Sequence, residues 1–234
     1  MRILIAIPTL NEVNTIEPLL LSLLNDSSKP DIIVIDDHSL DGTPQIIKKI
    51  QTQYLNRVCL FERPNKHGIA SAYLLAFQQG LRNNYDCFFQ IDADLSHDPS
   101  AISQFIIAIK QGAGCVLGSR YIPDGKIENW TLSRKILSAA GNLYARIFLC
   151  LPYKDVTSGY KCFSRKALLA LDFSKINCCG YAFQIEMTYR LHRQKIKILE
   201  IPIIFSDRTQ GKSKMSKKII LEAILKVPLM RWGF

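Results

Sequence analysis

At 234 residues and 26.6 kDa the chain is long enough for one large domain, and its 48% apolar and 21% charged content excludes a disordered or fibrous polypeptide. A chain of this size buries about 70–75% of its unfolded surface, so folding requires neither disulfides nor a structural metal. The net charge of +10 is uneven: residues 190–234 hold eleven Lys/Arg against three Asp/Glu, and the first 189 hold nineteen against seventeen. The basic end therefore faces an anion: phosphate groups, an acidic lipid surface or nucleic acid. No apolar run approaches the ~20 residues that cross a bilayer, and residues 1–7 are too short for a secretory signal. The expectation is a soluble or peripheral intracellular protein. Seven scattered cysteines without a CxxC pair read as small buried hydrophobes of a reducing compartment.

Residues 2–7 read as a buried strand, and Ile16–Leu24 as a helix with apolar residues at helical spacing. The alternation continues with a strand at 31–35, a helix over Thr43–Gln53 and a strand at 57–61. A helix over Ile69–Arg82, a strand at 86–91, a helix at 100–111 and a strand over Cys115–Ser119 follow. This rhythm predicts an α/β doubly wound fold, a parallel sheet with right-handed crossovers and helices on both faces. After Arg120 it changes. Residues 121–130 read as a polar loop, 133–149 as a helix N-capped by Ser133, and 160–163 as a strand. Helices at 166–171 and 181–193 precede a strand at 197–205, whose Pro202 points to a sheet edge. Residues 206–218 are polar, basic and expected to be mobile; 219–229 read as an apolar helix ended by Pro228. Ile219, Ile220, Ala223, Ile224 and Val227 recur at near-helical spacing, flanked by Lys217, Lys218, Lys226 and Arg231. The expected division is a domain over 1–218 and an amphipathic helix over 219–234 that lies at a membrane interface or packs on the domain.

In open α/β sheets ligands bind beyond the carboxyl ends of the strands. There the chain places Pro8-Thr9-Leu10-Asn11-Glu12, Asp36-Asp37 and Asp92-Ala93-Asp94. Clustered carboxylates repel unless a cation sits among them. Asp92 and Asp94 suit a hard divalent ion, Mg²⁺ or Mn²⁺, held together with substrate phosphates. Asp41-Gly42 reads instead as a helix start, and His38 and His97 lie beside the acids. The first strand is not followed by GxGxxG, which argues against a dinucleotide-dependent dehydrogenase. GxSxG and HExxH are absent, and Gly211-Lys212-Ser213 lacks the earlier glycine of a phosphate-binding loop.

These blocks, with Gly118-Ser119-Arg120-Tyr121, Asp155-Val156-Thr157-Ser158-Gly159, residues 180–187 and the run from Asp207-Arg208 to Met215, resemble family 2 glycosyltransferases. They are similar to dolichyl- or polyprenyl-phosphate mannose synthases over nearly the whole chain. The resemblance implies a GT-A fold, a GDP-mannose donor, Mg²⁺ or Mn²⁺, and a polyprenyl-phosphate acceptor. It places Pro8, Leu10, Glu12, Ile35 and Asp37 around the nucleotide, and Asp92, Ala93 and Asp94 at metal and diphosphate. Arg120, Arg208 and Lys214 would hold donor phosphates or the reacting centre, and Arg120, Arg134 and Ser138 the acceptor phosphate. Asp94, Arg120 and Arg208 are thus the expected catalytic residues. Leu10 stands where the family usually has tyrosine, and Ser96 where many relatives have glutamine.

A phosphate acceptor is already anionic, so it needs cations to hold it rather than a carboxylate base to deprotonate it. The expected setting is the cytoplasmic face of a membrane, as a peripheral protein, alone or with a separate membrane subunit, and without nucleic acid. UDP-glucose, UDP-N-acetylglucosamine or a hydroxyl acceptor remain alternatives within the same fold. A nucleotidyltransferase would carry a glycine-rich basic loop where Pro8–Glu12 stand.

Overall fold

The apolar run after Arg2 becomes β1 (Ile3–Thr9), a strand covered on both faces. The structure is a computed structural model that describes residues 1–178, 180–206 and 217–232; the side chains at 181, 217–223 and 232 lie outside the description. β2 (Asp31–Asp36), β3 (Val58–Glu62) and β4 (Cys87–Gln90) are joined to β1 through α1 (Ile16–Leu24), α2 (Thr43–Gln53) and α3 (Ile69–Arg82). All four strands are parallel. α4 (Ile102–Lys110) leads to β5 (Cys115–Ser119), which is followed by β6 (Lys126–Ile127) and the long α5 (Leu132–Leu149). β7 (Lys161–Ser164), α6 (Arg165–Leu169), α7 (Gly180–Arg193), β8 (Ile198–Pro202), β9 (Ile204–Phe205) and α8 (Lys217–Trp232) complete the order.

The main sheet has seven strands in the order β3-β2-β1-β4-β7-β5-β8. Alternation along each strand divides the core into two layers. Ile5, Ile7, Val34 and Phe89 pack under α1, α2 and α4, while Leu4, Ala6, Ile33 and Phe88 pack under α3, α6 and α7. Each fully buried aliphatic or aromatic side chain stabilises the fold by about 1.5–3 kcal/mol. The doubly wound sandwich expected from the alternation is present, and Pro202 ends an edge strand as read.

Several features depart from the sequence reading: the strand read at 197–205 is split into β8 and β9, and β9 pairs with β6, which lies inside the loop read at 121–130. β7 runs antiparallel to both β4 and β5. The chain leaves β5 at the carboxyl edge, builds α5 there and re-enters the sheet from the same edge, so its direction reverses. Thr131, in extended conformation, is the N-cap of α5 in place of Ser133, and neither side chain caps the helix. Pro228 does not end α8, which continues to Trp232. Proline removes the N–H that would bond the carbonyl four residues back, and the Tyr144 hydroxyl donates to that Ile224 carbonyl at 2.8 Å. α8 packs on the domain through Val227 and Met230, which join Ala145, Leu149, Ile185 and Tyr189 in a third apolar cluster.

A fully buried lysine lies beneath the sheet's second layer. Lys161, at the start of β7, is fully buried, and its Nζ donates to the Gln184 carbonyl at 2.5 Å and Thr188 Oγ1 at 2.8 Å. Burial pushes the Lys161 ammonium down to about 8. Between that pH and the ordinary lysine range of about 10.4, the unfolded chain holds a proton that the folded chain has released, so stability rises with pH. Lys161→Met should lack this rise. Denaturant titrations from pH 7 to 10 should show the wild type gaining on the order of 3 kcal/mol relative to the variant; parallel curves would contradict it.

Candidate active site

The parallel strands deliver their loops to one edge, where the loops after β1 and β2 are laced together. Asn11, at φ 56°, donates from its backbone N–H to Ser39 Oγ at 2.8 Å, and its Oδ1 accepts from Leu40 N at 3.0 Å. Glu12 N and Val13 N donate to Thr43 Oγ1 and Asp41 Oδ2. Asp41 also accepts from Thr43 N at 3.0 Å and Thr43 Oγ1 at 2.6 Å, so Asp41-Gly42 is the helix start that its sequence indicated. Asp36 is buried and accepts from Thr9 Oγ1 at 2.8 Å and from Ser39 N and Oγ at 2.8 and 2.6 Å. Asp37 pairs with Arg63 and accepts from Gly68 N. These two acids hold the loops by hydrogen bonds and an ion pair, which corrects the expectation that a cation is needed to offset their repulsion. Pro8 and Ile35, paired across β1 and β2, lie between the laced loops.

The other two acids lie on the loop after β4. Asp94 Oδ1 accepts from Ser96 N at 3.1 Å and Ser96 Oγ at 2.5 Å, closing a tight turn that puts Leu95 at φ 62°. A branched aliphatic residue in that left-handed region costs about 1–2 kcal/mol, and such strain concentrates at functional loops. Asp92 N donates to His97 Nδ1 at 3.2 Å, and Asp92 Oδ1 accepts from the buried Tyr73 hydroxyl at 3.1 Å. Burial and the charges of Asp92 and Asp94 push the Tyr73 phenol well above its ordinary range, so it acts as a donor. His97, buried, stacks on Tyr160 and meets Phe205 edge-on, anchoring the loop, whereas His38 is exposed. Two carboxylates on one loop fit a hard divalent cation that completes its shell with phosphate oxygens and water. Among the described residues no group of three or more His, Cys, Asp or Glu side chains could hold a metal without such help.

Arg120 follows β5 and is 9% exposed. Its Nε and Nη2 donate to the two oxygens of Asp155 at 2.7 and 2.9 Å, its backbone N–H to Asp155 Oδ2 at 3.0 Å, and Nη2 also to Thr157 Oγ1 at 2.8 Å. Burial pushes the Asp155 carboxyl up, but the Arg120 charge and the hydrogen bonds outweigh it and leave it below the ordinary range. Beside Arg120 opens a cavity of about 350 Å³ lined by Tyr121, Gly125, Lys126, Ile127, Lys135, Ile136 and Ala139. Arg134 lies next to it with its guanidinium 4.1 Å from the Trp130 ring, and Ser138 Oγ accepts from the Tyr121 hydroxyl at 2.9 Å.

The structure thus gathers Asp92, Ala93, Asp94 and the β1–β2 loops at one edge and puts Arg120 on the cavity; Arg134 and Ser138 reach it through Trp130 and Tyr121 and do not line it. Arg208 and Lys214, with the rest of 207–216, lie outside the described residues, as does any closure of that segment. Sequence reasoning missed Lys126 and Lys135, and gave no role to Tyr73 or to Asp155 as partner of Arg120. Lys135 follows Arg134 directly, and its helical register with Ala139 on the predicted helix was a usable signal. The pairing of Asp155 with Arg120, 35 residues apart, had none.

The family profile "Glycosyl transferase family 2" matches residues 4–171. An undecaprenyl-phosphate mannosyltransferase of Micrococcus luteus is 41% identical over all of this chain and 94% of that protein. A polyprenol monophosphomannose synthase of Mycolicibacterium smegmatis is 37% identical over 99% of this chain and 87% of that protein. Among solved structures, a glucosyl-3-phosphoglycerate synthase from Mycobacterium tuberculosis, in complex with Mn²⁺, UDP-glucose and phosphoglyceric acid, has a similar fold. It matches with a TM-score of 0.65 and 19% identity over 97% of this chain and 79% of that one.

Removing one member of a buried ion pair leaves the other charge without compensation, at a cost of about 3–5 kcal/mol. Asp155→Asn should lower unfolding free energy by about 3 kcal/mol in denaturant titration, and Thr157→Ala by about 1 kcal/mol. Equal losses for the two would show that the ion pair is not the dominant contact.

Proposed function

Because the chain belongs to glycosyl transferase family 2, we propose that this glycosyltransferase moves mannose from GDP-mannose to a polyprenyl (dolichyl-type) phosphate, with inversion and with Mg²⁺ or Mn²⁺ bound. The observation that carries the reading is the cavity beside Arg120. It is lined by Arg120, Lys126 and Lys135, and no carboxylate is among its described lining residues. An acceptor hydroxyl would need a base there, whereas an acceptor phosphate needs cations. Similarity to a mannosyltransferase and a monophosphomannose synthase that act on polyprenyl lipids supports the sugar and the lipid class.

In this reading Asp37 and Glu12 shape the nucleotide pocket, with Pro8, Leu10 and Ile35 as its apolar lining. Asp92 and Asp94 would hold the divalent cation, which would supply positive charge to the departing nucleoside diphosphate. Asp155 fixes the plane of the Arg120 guanidinium, so that residue meets the reactants already oriented, and little reorganisation remains as charge moves. Lys126 and Lys135, with Arg134 and Ser138 beside them, hold the acceptor phosphate against the anomeric carbon; two anions are thereby kept together by fixed cations. Arg208 and Lys214 are proposed for the donor phosphates.

The lipid must be met at a membrane. Among the described residues no helix is long and apolar enough to cross one. α5 instead exposes Leu132 (74%), Ile136 (60%), Leu143 (51%) and Ile147 (63%), and α8 adds Ile224, Leu225 and Leu229. Lys135 lies about a quarter turn from the exposed stripe on α5, and Arg231 lies near the end of α8. An apolar face edged by cations suits peripheral attachment to an anionic bilayer on its cytoplasmic side, with or without a separate membrane subunit. The expectation centred on 219–234 is therefore extended to α5, which borders the acceptor cavity through Lys135, Ile136 and Ala139.

A panel of labelled sugar nucleotides, offered with polyprenyl phosphate or the matching polyprenol, tests the reaction. Mannose from GDP-mannose should enter lipid with the phosphate only; equal transfer to polyprenol would reject the anionic acceptor. Lys135→Ala should lower kcat/KM for polyprenyl phosphate by about 30-fold, equivalent to about 2 kcal/mol. For the surface, Ile136→Glu combined with Ile147→Glu should abolish cosedimentation with phosphatidylserine vesicles while leaving the melting temperature near wild type. Undiminished cosedimentation would remove α5 from the membrane face.

A further inference from the structure

We propose that Tyr73, backed by Gln90 and Gln184, is a positioning residue that fixes the Asp92 carboxylate for the divalent cation. The inference rests on the metal-dependent reading above and extends it into the core. Asp92 is the end of a polar path through an otherwise apolar layer of Phe77, Phe88, Phe163 and Phe183. Gln90, fully buried at the end of β4, donates from Nε2 to Gln184 Oε1 at 3.0 Å, and its amide also faces the Tyr73 oxygen. Gln184 lies on α7, and its carbonyl accepts from Lys161, which stands directly opposite Gln90 in the β4–β7 ladder. The Tyr73 ring stacks on Phe183, centroids 6.2 Å apart and planes within 5°, so α7 sets the direction of the hydroxyl.

Packing alone does not call for these groups. Among the described residues Gln90 Oε1 has no hydrogen-bond partner, a loss of about 1–3 kcal/mol that a leucine or methionine would avoid. What the path does is hold one carboxylate. Asp92 meets the Tyr73 hydroxyl on one oxygen, while its other oxygen would lie 3.3 Å from a Cβ at Gly159, so the chain there has no side chain to displace it. A carboxylate held in this way presents its oxygens to an incoming cation without first losing rotational freedom.

The test is direct Mn²⁺ binding, read from the loss of the free-ion electron paramagnetic resonance signal with GDP present. Tyr73→Phe keeps the ring and its stacking and removes only the hydroxyl. It should raise the Mn²⁺ dissociation constant about tenfold while circular dichroism and melting temperature stay near wild type. Gln184→Met, which removes the acceptor for Gln90 from a distance, should raise it about threefold and serves should Tyr73→Phe fail to fold. Tyr160→Phe is the control, since that buried hydroxyl donates to the Asp98 carbonyl at 3.3 Å and touches no metal-loop carboxylate; it should leave Mn²⁺ affinity unchanged. Wild-type affinity in both Tyr73→Phe and Gln184→Met would overturn the positioning role and leave the metal reading intact. An equal loss in Tyr160→Phe would overturn it in favour of general loosening. Failure of the wild type itself to bind Mn²⁺ would overturn the metal reading and the inference with it.

Discussion

Arg120 and Asp155 bring two buried charges together where the chain turns back toward its own sheet. Taking each ion out of water costs several kcal/mol, and only good geometry offsets that cost. Here both carboxylate oxygens meet the guanidinium, the backbone N–H of Arg120 adds a third bond, and Thr157 takes a further donor. The pair joins the end of β5 to the segment that enters β7. It thereby ties the antiparallel return to the end of β5 and to the wall of the cavity. Glu200 on the edge strand β8 adds to this by accepting from the backbone of Lys154 and Asp155. The segments on either side of the cavity are joined through this one contact.

The first half of the fold was legible because its signals are local. α1, α2 and α3 begin and end at the residues that helical spacing and flanking Gly, Asn and Asp indicate, and β5 likewise. The strand directions in the second half were not, because alternation of strand and helix says nothing about where a connection re-enters the sheet. Thr131 and Ser133 are both reasonable caps by composition, and the choice between them depends on how α5 leaves the short β6 strand. Pro228 is a sound stop signal by itself. It fails here because a hydroxyl 84 residues away satisfies the carbonyl that the proline leaves open.

The site shows the same division. The residues at strand ends were identifiable because topology alone takes them to one edge. Which of those acids tie loops together was not identifiable. That distinction depends on Ser39, Thr9, Arg63 and Gly68, neighbours in space but spread over 60 positions of sequence. Clustered like charge is therefore a weak indicator of metal where short polar residues stand close by. The family resemblance singled out Arg120 but could not supply its partner, which became visible only when β5 and the loop before β7 were placed together.

The Tyr144 bond to the open carbonyl of α8 has a mechanical consequence. A helix with an interior proline bends most easily at the unsatisfied carbonyl, and here that point is clamped from α5. Arg231 adds a second clamp by donating to the Phe148 carbonyl at 2.8 Å, near the far end of the same helix. α5 and α8 are thus a coupled plate rather than two hinged rods, fastened on either side of the bend. Whatever tilts one of them transmits that tilt to the other, and through Lys135 and Ile136 to the cavity beside Arg120.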